Sequence, residues 1–337
     1  MNANALQPRL MDADSASALI RSGVPLAIAA DEDTLAALPC GLWIGGTIPY
    51  FMGQNGGITS RSQVFVTPLP VLEGLRPQIE CHDSATLSQV CVQAPDNGFS
   101  LIIMPAFSEV HVDYAQGAAM YDDMFMKPVV GWVAGIHLDD MGKRCPKVRD
   151  GRHSSLLDNV AVVAHVPLPE HTSAQVRIVN LFNQGTGDVL EFEHSGFEAS
   201  SCRVNGVPAS LAAYLKAKGH DTRLPLVADY SGASINVSIK AVDHAHDQVA
   251  FYAPVFQHVQ YRLAKPFDDS YEHAFLARAA EQLPRQSASF ACNCVLNYLY
   301  SELEGKHTGG ITGHMTFGEI AYVLLNQTLV HLTLETR

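Results

Sequence analysis

The chain's 337 residues are enough for two or three domains with a sizeable core. Twenty-two basic against 34 acidic residues give a net charge of −12 with no Lys/Arg cluster, so a nucleic-acid partner is not expected: the mean field repels a phosphate backbone. Apolar residues make up 47% of the chain and are spread along it, which excludes disorder.

Residues 1–20 read as an N-terminal arm. They lack the uninterrupted apolar core of a secretory signal. The longest apolar runs, PVVGWVAGI and VAVVAHVPL, fall far short of the ~20 residues of a spanning helix, so no membrane insertion is expected. Seven cysteines without a framework spacing fit a reducing, cytoplasmic setting.

Along the chain, three stretches follow one plan of apolar strand, helix and Gly-containing apolar strand. The first is PLAIAA, DEDTLAALP and GLWIGGTI; Gly45 and Gly46 there read as sites of close backbone packing or a bulge. Leu87, Val90, Cys91 and Ala94 then repeat at helical spacing after Asp83 or Ser84. The second stretch runs from LIIMPA through a helix capped by Ser108 to PVVGWVAGI; Val110, Tyr114, Tyr121, Met124 and Phe125 share one face. A boundary is expected near 168–175, at PLPEHTS. Beyond it QVRIVNLF, DVLEFE, ASINVSIKAV, QVAFYAP and HVQYRLAK alternate as antiparallel strands do, with turns at NQGTGD and DYSGAS. The helix PASLAAYLKAKG stops at Gly219, and another spans Tyr271 to Leu283. ASFACN, VLNYLYSELEGK and GGITGHMTFGEIA form the third stretch. The expected fold is α/β to α+β: two packed domains, 21–170 and 171–337, of mixed β-sheets flanked by helices and built from repeated strand-helix-strand units.

No phosphate-binding loop and no nucleophile elbow occurs. Two histidine clusters, Asp243–Asp247 (DHAHD) and His137–Asp140 (HLDD), offer metal ligands, but neither has a distant partner legible in the sequence, so no metal or other cofactor is expected. Cys292 and Cys294 end an apolar strand before a helix, where a thiol either ionises more readily or packs as an inert hydrophobe. Glu319 stands between two apolar strands, directly after Gly318 and five residues after His314. An acid there costs several kcal/mol unless something compensates it. Two readings stay open. Either the carboxylate accepts N–H bonds or pairs with an Arg, or Gly318 lets a small ligand approach while Glu319 holds it, with Asn326 and Thr328 lining the same mouth.

These C-terminal pieces resemble the end of FIST (F-box and intracellular signal transduction) proteins. The matching elements are a strand finishing at Cys292, a helix carrying Glu302 or Glu304, the segment GGITGHMTFGEI with Gly318–Glu319–Ile320, and NQTLVHLTL with Asn326 and Thr328. RVNGVPASLAAYL and PVVGWVAGIHLDD resemble further family segments, in the same order over about residues 20–335. The chain departs from the pattern where Asn293, Cys294 and Val295 replace an Arg after the Cys, and where a Gly-Cys-Ser/Thr motif stands as Gly45–Gly46–Thr47. The resemblance implies a sensory protein of bacterial signal transduction that binds a small ligand, such as an amino acid, between its halves. Its output would pass through a signalling partner protein or a homo-oligomer. The expected ligand residues are Gly45, Gly46, Thr47, Cys292, Asn293, His314, Gly318, Glu319 and Asn326. The alternative is an enzyme using Glu319, His314 and Cys292 in an interdomain cleft.

Overall fold

Each of the three strand-helix-strand stretches closes as a parallel strand pair. The computed structural model, which describes residues 6–230, 233–282, 288–307 and 310–336, pairs Leu26–Ala30 with Trp43–Thr47, Gly98–Pro105 with Val129–Ala134, and Phe290–Cys294 with Gly313–Thr316. The intervening helices are Glu32–Ala37, Glu109–Gly117 and Val295–Tyr300. A parallel pair needs such a crossover, because the chain must return to the same end of the sheet. Each second strand carries a glycine against its partner's backbone. A Cβ on Gly45 would lie 2.9 Å from Ile28 O, one on Gly131 would collide with Ile102 O, and one on Gly313 would press on Ala291 O. The glycines seen in the sequence are therefore close-approach positions of one repeated device.

The chain divides into two compact units. The first comprises Met1–Val179, Leu276–Leu324 and Thr328–Arg337; the second comprises Asn180–Phe275 and Leu325–Gln327. This differs from the expected contiguous halves, since the third parallel pair belongs with the first two. Nor are residues 9–20 an arm. Arg9–Asp12 pairs with Gln63–Pro68, and the helix Ala13–Arg21, capped by Asp12, buries Ala16, Leu19 and Ile20. Residues 1–5, Ser231 and Gly232 of the DYSGAS turn, Leu283 and Gly309 lie outside the described residues.

The first unit holds three mixed sheets. In the one that matters most below, the strand order is Val323–Leu325, Glu319–Ala321, Val129–Ala134, Gly98–Pro105, Ala161–Pro167, Gln78–His82. The last is an edge strand, antiparallel to Ala161–Pro167. Beyond it the helical spacing at 87–94 gives only a 3-10 turn, Leu87–Gln89, although all four apolar residues are buried. The carboxylate of Asp83 accepts from Thr86 N–H and Oγ and fixes a tight turn, and Pro95 ends the segment. Likewise the helix capped by Ser108 stops at Gly117, which leaves Phe125 exposed beyond it.

The paired strands described in the second unit are antiparallel, as the alternating pattern requires, and one isolated bridge, Phe192 to Gln257, is parallel. The unit has a six-stranded sheet and a three-stranded one around Leu190, Phe192, Leu226, Phe251 and Tyr261. Its helix Leu211–Lys218 is capped by Ser210 and ends at Gly219, whose φ of 60° a Cβ would oppose. The protein is thus an α+β fold with mixed sheets. No helix among the described residues is long and apolar enough to cross a membrane.

Candidate metal centre

The third parallel pair sets Cys292 beside His314, Asn293 beside Met315 and Cys294 beside Thr316, so the expected C-terminal residues do converge. What they form is packed interior. Glu319 is fully buried. Its Oε2 accepts from Thr328 N–H (3.1 Å) and Thr328 Oγ (2.8 Å), its Oε1 lies 3.1 Å from Thr316 Oγ, and the Cys294 thiol also bonds it. None of these partners is charged. Burial therefore dominates and pushes its pKa up to about 8. As a neutral acid it satisfies every neighbour: its O–H donates to Thr316 Oγ, which in turn donates to Gly318 O at 3.0 Å. The compensation that the sequence demanded comes from the protein itself, and no guest is needed.

The residues around Glu319 agree. Cys292 is buried with Sγ 3.4 Å from Gly131 O, and desolvation holds its thiol well above the usual range, the reverse of an activated nucleophile. His314 is wedged among Trp132, Phe290 and Phe65, and burial takes its pKa down to about 3. Asn293 accepts from Asn297 at 2.9 Å. The hollow lined by Cys292, Asn293 and Met315 is about 10 Å³, room for one water at most.

The remaining expected residues are structural as well. Gly46 packs on Ile103 and Ala134, Thr47 Oγ accepts from Lys147 N–H, and Gly318 O accepts from Val133 N–H. Asn326 does not join the cluster: it makes its bonds to Ser238 and Asn236 in the second unit.

Of the two histidine clusters, DHAHD is an exposed turn in which Asp243 caps Ala245 and His246. In HLDD, Asp140 is taken by Arg61 at 2.7 Å and His137 stacks on Tyr50. Among the described residues neither belongs to a group of three or more converging ligands.

A different set does converge. Antiparallel register places Val163 opposite Glu80, Ala161 opposite His82 and Gln78 opposite His165. Because strand side chains alternate, Glu80, His82 and His165 project from one face of the sheet. His82 Nε2 lies 3.5 Å and His165 Nε2 3.7 Å from Glu80 Oε2, and the three donor atoms all fall within 4.8 Å of one another. Both imidazoles are 3% exposed, whereas Glu80 is 33% exposed.

The other ring nitrogens are engaged. His82 Nδ1 is 3.1 Å from Thr86 O, in the turn that Asp83 fixes, and His165 Nδ1 is 2.8 Å from Ser100 Oγ on the neighbouring strand. A carbonyl only accepts, so His82 Nδ1 carries a proton, and the tautomer protonated there has a bare Nε2. The Ser100 hydroxyl can accept as well as donate, so His165 can take the same tautomer, which bares its Nε2. Burial holds His165 down to about 4, so it is neutral at pH 7.

Among the described residues neither Nε2 has a hydrogen-bond partner. With His165 in that tautomer three electron-pair donors face one another, two of them sealed from water, which a cation between them would resolve. Ligands at ~2.0–2.1 Å around tetrahedral Zn²⁺ stand ~3.3–3.4 Å apart, close to the two Nε2–Oε2 separations. Nδ1–H bonds to a carbonyl or hydroxyl are what orient metal-binding histidines elsewhere. In the sequence, Glu80-Cys-His82 at strand spacing is the only local sign of this set.

Comparison with known proteins gives one family profile, described as "Family of unknown function (DUF6976)", which matches residues 11–335. No curated protein matches the chain.

Proposed function

The chain belongs to the DUF6976 family, and for it we propose the binding of one divalent transition-metal ion by His82, His165 and Glu80. The observation that carries this reading is the pair of buried, partnerless Nε2 atoms 3.5 and 3.7 Å from one carboxylate oxygen. Two imidazoles and a carboxylate suit Zn²⁺, and also Fe²⁺ or Co²⁺. Mg²⁺ and Ca²⁺ prefer oxygen ligands.

Calorimetric titration with Zn²⁺ tests the proposal. The expected result is one tight equivalent that His82→Ala weakens by more than about 100-fold, since even second-layer partners of metal ligands are worth 10–100-fold. Ser100→Ala, which frees His165 Nδ1, loses about 10-fold or more on the same ground. Equal binding by the wild type and His82→Ala would exclude the site. Sensing or catalysis, the uses expected from the sequence, would run through whatever the protein leaves free on the ion.

A further inference from the structure

Residues 118–127, AAMYDDMFMK, expose three large apolar side chains in one short segment: Met120 is 86% exposed, Met126 81% and Phe125 61%. Single exposed apolar residues are ordinary, whereas a cluster of large ones marks a surface that meets another molecule. The segment is firmly held. Successive turns close it, with Tyr121 N–H donating to Ala118 O, Met124 N–H to Tyr121 O and Met126 N–H to Asp123 O. Each such turn keeps its ends within ~7 Å, so the outward side chains stay close together. The inward ones are anchored. Met124 is buried with Sδ 3.7 Å from Cys91 Sγ, and Tyr121 packs edge-on to Tyr114 with ring centres 6.1 Å apart. Phe125 lies against Tyr322, ring centres 6.0 Å apart. Tyr322 has a φ of 66°, a conformation that a tyrosine seldom adopts. Its backbone is fixed there by Tyr114 Oη donating to its carbonyl at 2.7 Å and by its own N–H donating to Val129 O.

The electrostatic setting selects the partner. Asp122 and Asp123 are exposed within the segment, and Asp113 stands beside it, its carbonyl reached by Tyr121 Oη at 3.5 Å. Lys127, the segment's one cation, is engaged internally: its Nζ donates to Ala94 O at 3.0 Å and lies 3.8 Å from Asp123. The apolar cluster therefore sits beside net negative charge, on a chain of net charge −12. A second copy of the same surface and an anionic membrane both carry the wrong sign. A segment that joins apolar side chains to Lys or Arg carries the right one. Methionine side chains are unbranched and polarizable, so they adapt to partners of varied shape. An amphipathic helix laying its apolar face on such a surface is a recurring mode of recognition.

We propose that Met120, Phe125 and Met126 dock a basic amphipathic helix of a partner protein, its apolar face on these side chains and its Lys or Arg side chains toward Asp122 and Asp123. Fluorescence anisotropy with the full chain tests this. The probes are a labelled synthetic Leu/Lys peptide patterned as an amphipathic helix and a scrambled peptide of the same composition. At about 0.15 M salt, where distant charges are screened, the patterned peptide is expected to bind saturably and about tenfold or more tightly than the scrambled one. The double variant Phe125→Ser, Met126→Gln loses about tenfold or more, the worth of an interface anchor. Asp122→Asn weakens binding and flattens its salt dependence, whereas Val207→Ser, at an exposed apolar residue of the second unit, changes nothing. Circular dichroism checks that the variants, all at exposed positions, are folded. Absence of binding overturns the proposal, and equal binding of the two peptides does so too, since net charge alone then attracts them. Undiminished binding by the double variant places the contact elsewhere and also overturns it. A dimer in sedimentation that the double variant dissociates assigns the surface to a second copy instead. Phosphatidylserine vesicles that bind the wild type and not the double variant assign it to a membrane; either result overturns the proposal.

Discussion

Glu319→Gln is expected to abolish a pH dependence of stability on the order of 4 kcal/mol. The carboxyl has a pKa of about 8 in the folded protein and its ordinary value of 4.5 when unfolded. Below pH 4.5 both states hold the proton and its stabilising effect is complete. Between 4.5 and 8 the unfolded chain has released the proton while the folded one keeps it. Folding stability therefore falls by ~1.4 kcal/mol per pH unit across that window, and the effect is lost above the folded pKa. Glutamine reproduces the neutral acid: its oxygen accepts from Thr328 N–H and Oγ, and its amide donates to Thr316 Oγ. The variant should match the wild type near pH 4.5 and exceed it by several kcal/mol at pH 8. Urea unfolding at pH 5, 6.5 and 8 measures this. Parallel stability curves for the two proteins would mean that Glu319 is ionised in the folded state.

Zinc is expected to stabilise the first unit and to lose that effect in His165→Ala. The ligands come from the edge strand Gln78–His82 and from Ala161–Pro167, distant in sequence, so the unfolded chain presents no preformed site. Preferential binding to the folded state adds ~2.7 kcal/mol at a free ion concentration 100 times Kd. The gain should be concentrated where the metal bridges the edge strand to its neighbour, as slower amide exchange at residues 78–82 on adding Zn²⁺. Equal stabilisation of the wild type and His165→Ala would assign it to other histidines.

The parts of the fold that local chemistry dictates are those the sequence displayed. Apolar strands, Gly45 and Gly131 in the second strands, and the Ser108 and Gly219 caps each act within a few residues, and each appears where expected. The spacing of Leu87, Val90, Cys91 and Ala94 reported burial correctly but not helix, because Asp83 and Thr86 offer the backbone a turn instead. The return of residues 276–324 and 328–337 to the first unit is a long-range pairing with no local sign. For Glu319, the sequence showed that the acid needed compensation but not its source. Thr328, read as a pocket wall, is a hydrogen-bond donor to it. Glu80, His82 and His165 stayed hidden because only strand register, with Gln78 opposite His165, brings them together.

The most direct test of the metal centre is an anomalous difference map, recorded at the zinc absorption edge, from crystals grown with one equivalent of Zn²⁺. A single strong peak is expected ~2.0–2.2 Å from His82 Nε2, His165 Nε2 and a Glu80 oxygen. No peak there, with zinc found only at exposed histidines such as His244 and His246, would contradict the account.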